Sequence, residues 1–369
     1  MENLAKKRNS SIELLRIVCI LCIVMRHYIA QQPTWWDRWA TMDYGFNVLF
    51  LQLVGTPGQI VNGIFLLITG YFMIKSKVDF KRVIKLILEM FLYSWIIALI
   101  VYVFKLQPFS LKEAVKALVP VWFGYNWYVC CYVILCCFIP FINPFLNSLD
   151  KDKYKKLVVV SVLIWSVVRT FKGENYMGKS ISLDRFIVMY LMGGYIRLHG
   201  ITLKRFKNWW RVFWLSLIVL LMLTLALSVG GHILKINLLM NRALYFSYGP
   251  SIFITLSSIA LFMAVINSKP FYSPFINKIA VSCVGVFMIH HNPLLKRVLW
   301  DVISPNAAYT YSPWLPVHLI VKSVIVFVGC VVIDQIRIAL LDKSFEALSG
   351  RLLAAAQKLT AKAKALTER

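Results

Sequence analysis

The chain alternates between long apolar runs and short polar, basic segments. About 20 apolar residues at about 1.5 Å rise cross a hydrocarbon core of about 30 Å. Several runs reach that length, and the length of the chain then sets roughly ten spans. They cover Ile12 to Ala30, Gln59 to Ile74, Val83 to Phe104, Trp127 to Phe145, Leu157 to Val168, Leu183 to Leu198, Val212 to Val229, Gly249 to Ile266, Ile279 to Ile289 and Pro316 to Leu341. Tyr44 to Val54 is apolar but short, which fits a re-entrant or interfacial helix, and Gly55-Thr56-Pro57-Gly58 breaks it. The segment from Lys105 to Asn126 has room for a surface helix. Trp35, Trp36 and Trp39, just after the first span, suit a membrane interface. Lys6, Lys7 and Arg8 precede that span, and Lys204, Arg205, Lys207 and Arg211 fall in another inner segment. This bias predicts a cytoplasmic N-terminus, and about ten spans return the C-terminus to the same side. The expected fold is an all-α polytopic membrane helix bundle over residues 1–343 with a basic tail at 344–369. In the tail, Leu348, Leu352, Leu359 and Leu366 recur at helical spacing against Lys358, Lys362 and Lys364. That pattern predicts an amphipathic helix on the inner membrane surface.

Composition agrees. The 369 residues are 59% hydrophobic and 15% charged, with a mean hydropathy of +0.69. A soluble domain averages about 45–50% apolar and about 25% charged. The net charge of +25 would point to nucleic acid in a soluble protein. Here the charge lies between apolar runs, facing anionic lipid heads, so lipid is the expected partner and nucleic acid is not. All eight cysteines sit inside apolar runs. Cys19-Ile-Leu-Cys22 has a redox or zinc spacing but lies mid-span without polar ligands nearby in sequence. Neither a disulfide framework nor a metal site is expected.

The first span carries Arg16, Arg26 and His27. Arg16 and His27 return to within about 20° of one helix face, about 16 Å apart along the axis. Ionisable groups inside a span usually face a cavity, although arginines also snorkel to interfaces. Such a face permits, without selecting, a long anionic thioester such as acyl-coenzyme A. Phosphates would meet Arg16, Arg82 and Lys85 at the inner side, and an imidazole would serve as general base at the outer side. Arg185 could hold an oxyanion or snorkel from a helix end. Glu89 fits a cavity or an ion pair. Asn62, Thr69 and Tyr71 either line the site or tie helices together. Trp127 and Tyr128 read as interfacial anchors first. His290 and His291 either assist the chemistry or end a span before Asn292-Pro293. His318 and Lys322, one turn apart, are expected to snorkel outward.

Six stretches together resemble the acyltransferase-3 family of integral-membrane O-acyltransferases. SIELLRIVCILCIVMRHY resembles that family's first span, with arginine, ten residues, then histidine. GIFLLITGYFM resembles its second, with Thr69 in place of a serine. Arg82-Val-Ile-Lys85 resembles its Arg-x-x-Arg motif, with lysine as second member. NWYVCCYVILCCFIPFINPFLN, DRFIVMYLMGGYIRLHG and GVFMIHHNPLLKR are similar to later landmarks, in order, from Ser10 to about Leu341. The resemblance implies transfer of an acyl group, most often acetyl, from acetyl-CoA to a glycan hydroxyl at the outer face of a bacterial plasma membrane. It implies His27 as the catalytic residue and Arg16, Arg82 and Lys85 in donor binding. Lysine at position 85 lacks arginine's planar fork, so donor contacts there differ from the family pattern. A glycan or solute transporter, or a membrane scaffold without catalysis, remains open from composition alone, as does a homo-oligomer.

Overall fold

The computed structural model describes residues 8–32, 35, 38–173, 183–202, 208–249, 251–303 and 305–367. Lys6, Lys7, Trp36, Lys204, Arg205 and Lys207 lie outside the described residues. Among the described residues the elements are all helical. In chain order they are α1 (Ser10–Ala30), α2 (Phe46–Gly55), α3 (Gly58–Met73), α4 (Phe80–Val103), α5 (Leu111–Leu118), α6 (Trp127–Ser148), α7 (Lys151–Val162), α8 (Arg169–Lys172), α9 (Leu183–His199), α10 (Trp209–Ile233), α11 (Asn237–Asn241), α12 (Ile252–Ile266), α13 (Pro274–Val281), α14 (Cys283–His290), α15 (Pro293–Arg297) and α16 (Leu315–Thr367).

Local chemistry sets the boundaries. Asn9 caps α1 by accepting from the Ser11 amide at 2.9 Å. Asp79 caps α4, and Asn126 caps α6. Ser110 and Glu113 form a reciprocal capping box on α5, the surface helix expected before span four. Asp150 caps α7 by accepting from the Lys153 amide, which holds its carboxyl below the usual range. Asn292-Pro293 bends the chain by 75° between the helices on either side.

Six helices among the described residues are long and apolar enough to cross a membrane, or seven if the bent pair counts as one span. The expected ten exceeds that number, and the helices that fall short carry charge or lack length. Span one, α1, carries Glu13, Arg16 and Arg26. Span five, α7, begins with a Lys-Asp-Lys-Tyr-Lys-Lys run, and α9 has 17 residues. The expected re-entrant segment differs too: Phe46 to Met73 counts as one apolar stretch of 28 residues, broken only at Thr56-Pro57. Large apolar side chains on the outer surfaces of α4, α6, α10 and α16, among them Leu99, Phe141, Leu215 and Ile325, are exposed. That places lipid where water would otherwise be.

The centre is packed backbone to backbone. A Cβ on Gly193 of α9 would stand under 3.0 Å from the Leu67 carbonyl oxygen of α3, and one on Gly70 would clash likewise with Tyr190. Small residues permit this closeness, the usual device where lipid gives no hydrophobic drive. Asn143 of α6 donates to the Met73 carbonyl at 2.7 Å and accepts from Tyr190 at 2.6 Å, joining three helices. Helix α16 runs unbroken for 53 residues, and residues 353–367 are almost wholly exposed.

Candidate active site

Helix α1 organises the site. Arg16, Ile20, Ile23 and His27 follow one another at helical spacing, so they share one face. Arg16 lines a cavity of about 700 Å³. Ile20 and Ile23 line a separate chamber of about 40 Å³, with Asn62, Phe65, Tyr128, Cys283, Val284 and Phe287. Phe65, Tyr128, Cys283 and Val284 line both spaces. The Tyr128 ring meets Phe287 edge-on at 5.5 Å and Phe186 at 4.9 Å. The chamber is thus an apolar neck, with room for a few water-sized groups at about 10–15 Å³ each. The His27 ring lies 6.4 Å from Phe287, on the far side of the neck from Arg16.

The histidines form a hydrogen-bonded chain. Nδ1 of His290 is 2.5 Å from the Val286 carbonyl oxygen. A carbonyl only accepts, so His290 carries its hydrogen on Nδ1. In a neutral His290 the other nitrogen, Nε2, is then bare, and it accepts from Nδ1–H of His27 at 2.9 Å. A neutral His27 so placed has its lone pair on Nε2. The His291 ring sits 4.6 Å from His27 and stacks on Phe287, and its buried Nδ1 has no hydrogen-bond partner among the described residues.

The large cavity is rich in charge. Its basic lining is Arg8, Arg16, Lys77, Arg82, Lys85 and Arg337, and its acidic lining is Asp79, Glu89, Asp342 and Glu346. Arg8 pairs with Glu13 at 2.8 Å, leaving Arg16 a longer 3.5 Å contact with the same carboxylate. The Arg16 Nε is buried with no partner among the described residues. Arg82 pairs with Asp79 at 3.1 Å and is 86% exposed. Lys85 pairs with Asp342 at 2.7 Å and Glu346 at 3.6 Å. Glu89 binds Arg337 at 3.0 Å, and Arg337 also holds Asp334, which accepts from Tyr93.

The structure brings together most of the expected residues. Arg16, Thr69, Arg82, Lys85, Glu89 and Tyr128 line one cavity, Asn62 and Tyr128 the chamber, and His27 meets His290. Tyr128, expected first as an interfacial anchor, lines the chamber instead, its ring packed between Phe186 of α9 and Phe287 of α14. Trp127 packs edge-on against Tyr128 and Phe186 and lines neither space. Tyr71 lines neither space and accepts a bond from Arg197 at 3.1 Å. Arg185 is buried and donates to the Gln59 side chain at 2.9 Å and the Gln59 carbonyl at 2.7 Å. With Arg26, which donates to the Gly55 carbonyl at 2.6 Å, it satisfies backbone oxygens at the α2–α3 break. Neither His318 nor Lys322 snorkels: His318 bonds Tyr28 at 2.6 Å, and Lys322 bonds Asn306 at 2.6 Å. Sequence reading missed Arg337, Asp342 and Glu346. Asp334 and Arg337, three residues apart in an apolar helix, were a usable signal.

No group of three or more metal-ligating side chains stands together among the described residues, and the eight cysteines are free. A family model described as an acyltransferase domain matches residues 9–334 of the chain. Neither the comparison with curated proteins nor that with solved structures gave a match.

Proposed function

The chain belongs to the acyltransferase-3 family, and from that premise we propose that it moves an acetyl group from acetyl-CoA to a hydroxyl of a surface or lipid-linked glycan. The donor enters from the inner side of a bacterial plasma membrane, and the acceptor meets it at the outer side. The chain crosses about ten times, with both termini in the cytoplasm, where most of its Lys and Arg then lie. What supports this reading is the face of α1, along which Arg16 lines a cation-rich cavity, Ile20 and Ile23 line an apolar chamber, and His27 follows one turn on, 6.4 Å from Phe287 of the chamber wall.

Arg16, Arg82 and Lys85 hold the donor's phosphates, with the incompletely paired Arg16 as the deepest contact. The pantetheine arm follows Ile20 and Ile23 through the neck. Passage of the arm displaces the Tyr128 and Phe287 rings, because the neck alone is too small for it. At the far end the bare Nε2 of His27 takes the proton of the acceptor hydroxyl as its oxygen attacks the thioester carbonyl. The C–S bond breaks, the thiolate takes the proton back from the imidazolium, and the ester departs. His290 positions the ring and fixes its tautomer. The same lone pair could instead attack the thioester and carry the acetyl group briefly as an acyl-imidazole. Trapping of an acylated His27 after donor alone separates the two routes.

Mass spectrometry of surface polysaccharide from cells with and without the gene tests the reaction. A loss of one acetyl unit per repeat is expected on deletion. Identical masses, with unmodified glycan moved across the membrane in the absence of donor, would identify a carrier.

A further inference from the structure

The cations at the cavity mouth are not waiting for a ligand. Lys81 and Lys85 stand one turn apart on α4, facing Asp342 and Glu346, one turn apart on α16. Lys81 meets Glu346 at 2.5 Å, and Lys85 meets Asp342 at 2.7 Å and Glu346 at 3.6 Å. Lys85, Asp342 and Glu346 all line the cavity. A second contact between the same helices lies deeper: Arg337 of α16 with Glu89 of α4 at 3.0 Å, braced within α16 by Asp334 and, at 3.6 Å, by Asp342 of the ladder; Arg337, Glu89 and Asp334 are each at most 13% exposed. The two differ in kind. The deep clamp is largely buried, with Arg337 and Glu89 reaching only the cavity wall, and breaking it would leave buried charges alone. The outer ladder has carboxylates 39% and 51% exposed, so solvent screens it and its partners exchange at little cost.

We propose that Asp342 and Glu346 stand in for the donor's phosphates and set the cavity's affinity for them. A carboxylate and a phosphate present the same kind of oxygen to an ammonium group, so the two compete for Lys85. A diphosphate carries more charge and takes the lysine, while the Arg337 clamp keeps α16 against α4. The inference rests on the coenzyme A reading above.

The ladder's usual interpretation, a support for α16, predicts the opposite sign on removal, which makes the test decisive. Coenzyme A binding is measured by calorimetry on purified full-length protein in uncharged detergent, free of anionic lipid headgroups. The double variant Asp342→Asn, Glu346→Gln is expected to bind roughly two- to fivefold tighter than the parent. Glu346→Gln alone, which keeps the Lys85–Asp342 pair, is expected to bind tighter by a smaller factor and guards against misfolding of the double variant. Unchanged or weaker binding in both variants, with the parent still binding coenzyme A, overturns the inference and leaves the donor reading standing. Absence of coenzyme A binding by the parent overturns the donor reading and this inference with it.

Discussion

His27 and His290 are 263 positions apart and share one hydrogen bond. Their proton order follows from a single fact, that the Val286 carbonyl can only accept. Replacing His290 with Phe removes the acceptor for Nδ1–H of His27 and frees the ring to adopt the other tautomer. Turnover should fall roughly 100-fold with the Kd for coenzyme A unchanged, as read by paired kinetics and calorimetry. A fall in turnover together with a rise in Kd would mean that His290 only supports the fold. Arg185 behaves differently. Its two bonds go to Gln59, so Arg185→Ala removes two buried charge-assisted hydrogen bonds. It should lower stability by about 1–3 kcal/mol, seen as a lower Tm, with donor affinity intact. The Arg16 and His27 pair was legible because helix periodicity alone places both on one face. The His290 partnership was not, since nothing in GVFMIHHNPLLKR distinguishes His290 from His291.

Helix α1 was legible as a site-bearing element, but the role of Ile20 and Ile23 was not. In a membrane span an isoleucine facing a neck and one facing lipid read alike. The structure separates them: Ile20 and Ile23 line the chamber, while Leu14 and Val18 are exposed. Ile20→Phe narrows the neck without touching the cavity cations. Coenzyme A should still bind, while acetyl transfer drops by an order of magnitude or more, about the effect of displacing reacting groups by an ångström. Equal loss of binding and transfer would place the nucleotide elsewhere. The Gly193-Gly194 pair was visible in sequence as a small-residue feature, yet its use needed a partner helix. Gly193→Ala forces a methyl group onto the Leu67 carbonyl, where backbone meets backbone and neither side yields easily. A destabilisation of about 1–3 kcal/mol is expected in thermal melts.

At the scale of the molecule, hydropathy identified a helical membrane protein and located nearly every helix. It gave less on which helices stand as independent spans, because length and charge disagree at α1, α7 and α9. Charged residues or short length weaken those helices as spans, and tertiary packing compensates: α1 and α9 pack on α3, and α7 packs on α9. The charged cavity was underread for a related reason: Asp342 and Glu346 follow the last apolar run and look like ordinary solvated charge. Only the long unbroken α16 carries them back to α4. The resulting molecule has a charged cavity at one end and paired imidazoles toward the other, with an apolar neck between. Its central claim is that His27 does the chemistry and the cavity holds the donor. Acetyl transfer from labelled acetyl-CoA to glycan by purified protein, run alongside coenzyme A calorimetry on His27→Ala, tests both halves at once. The account predicts that His27→Ala binds coenzyme A as the parent does and loses transfer by roughly 100- to 10,000-fold. Full transfer by a folded His27→Ala protein would contradict it.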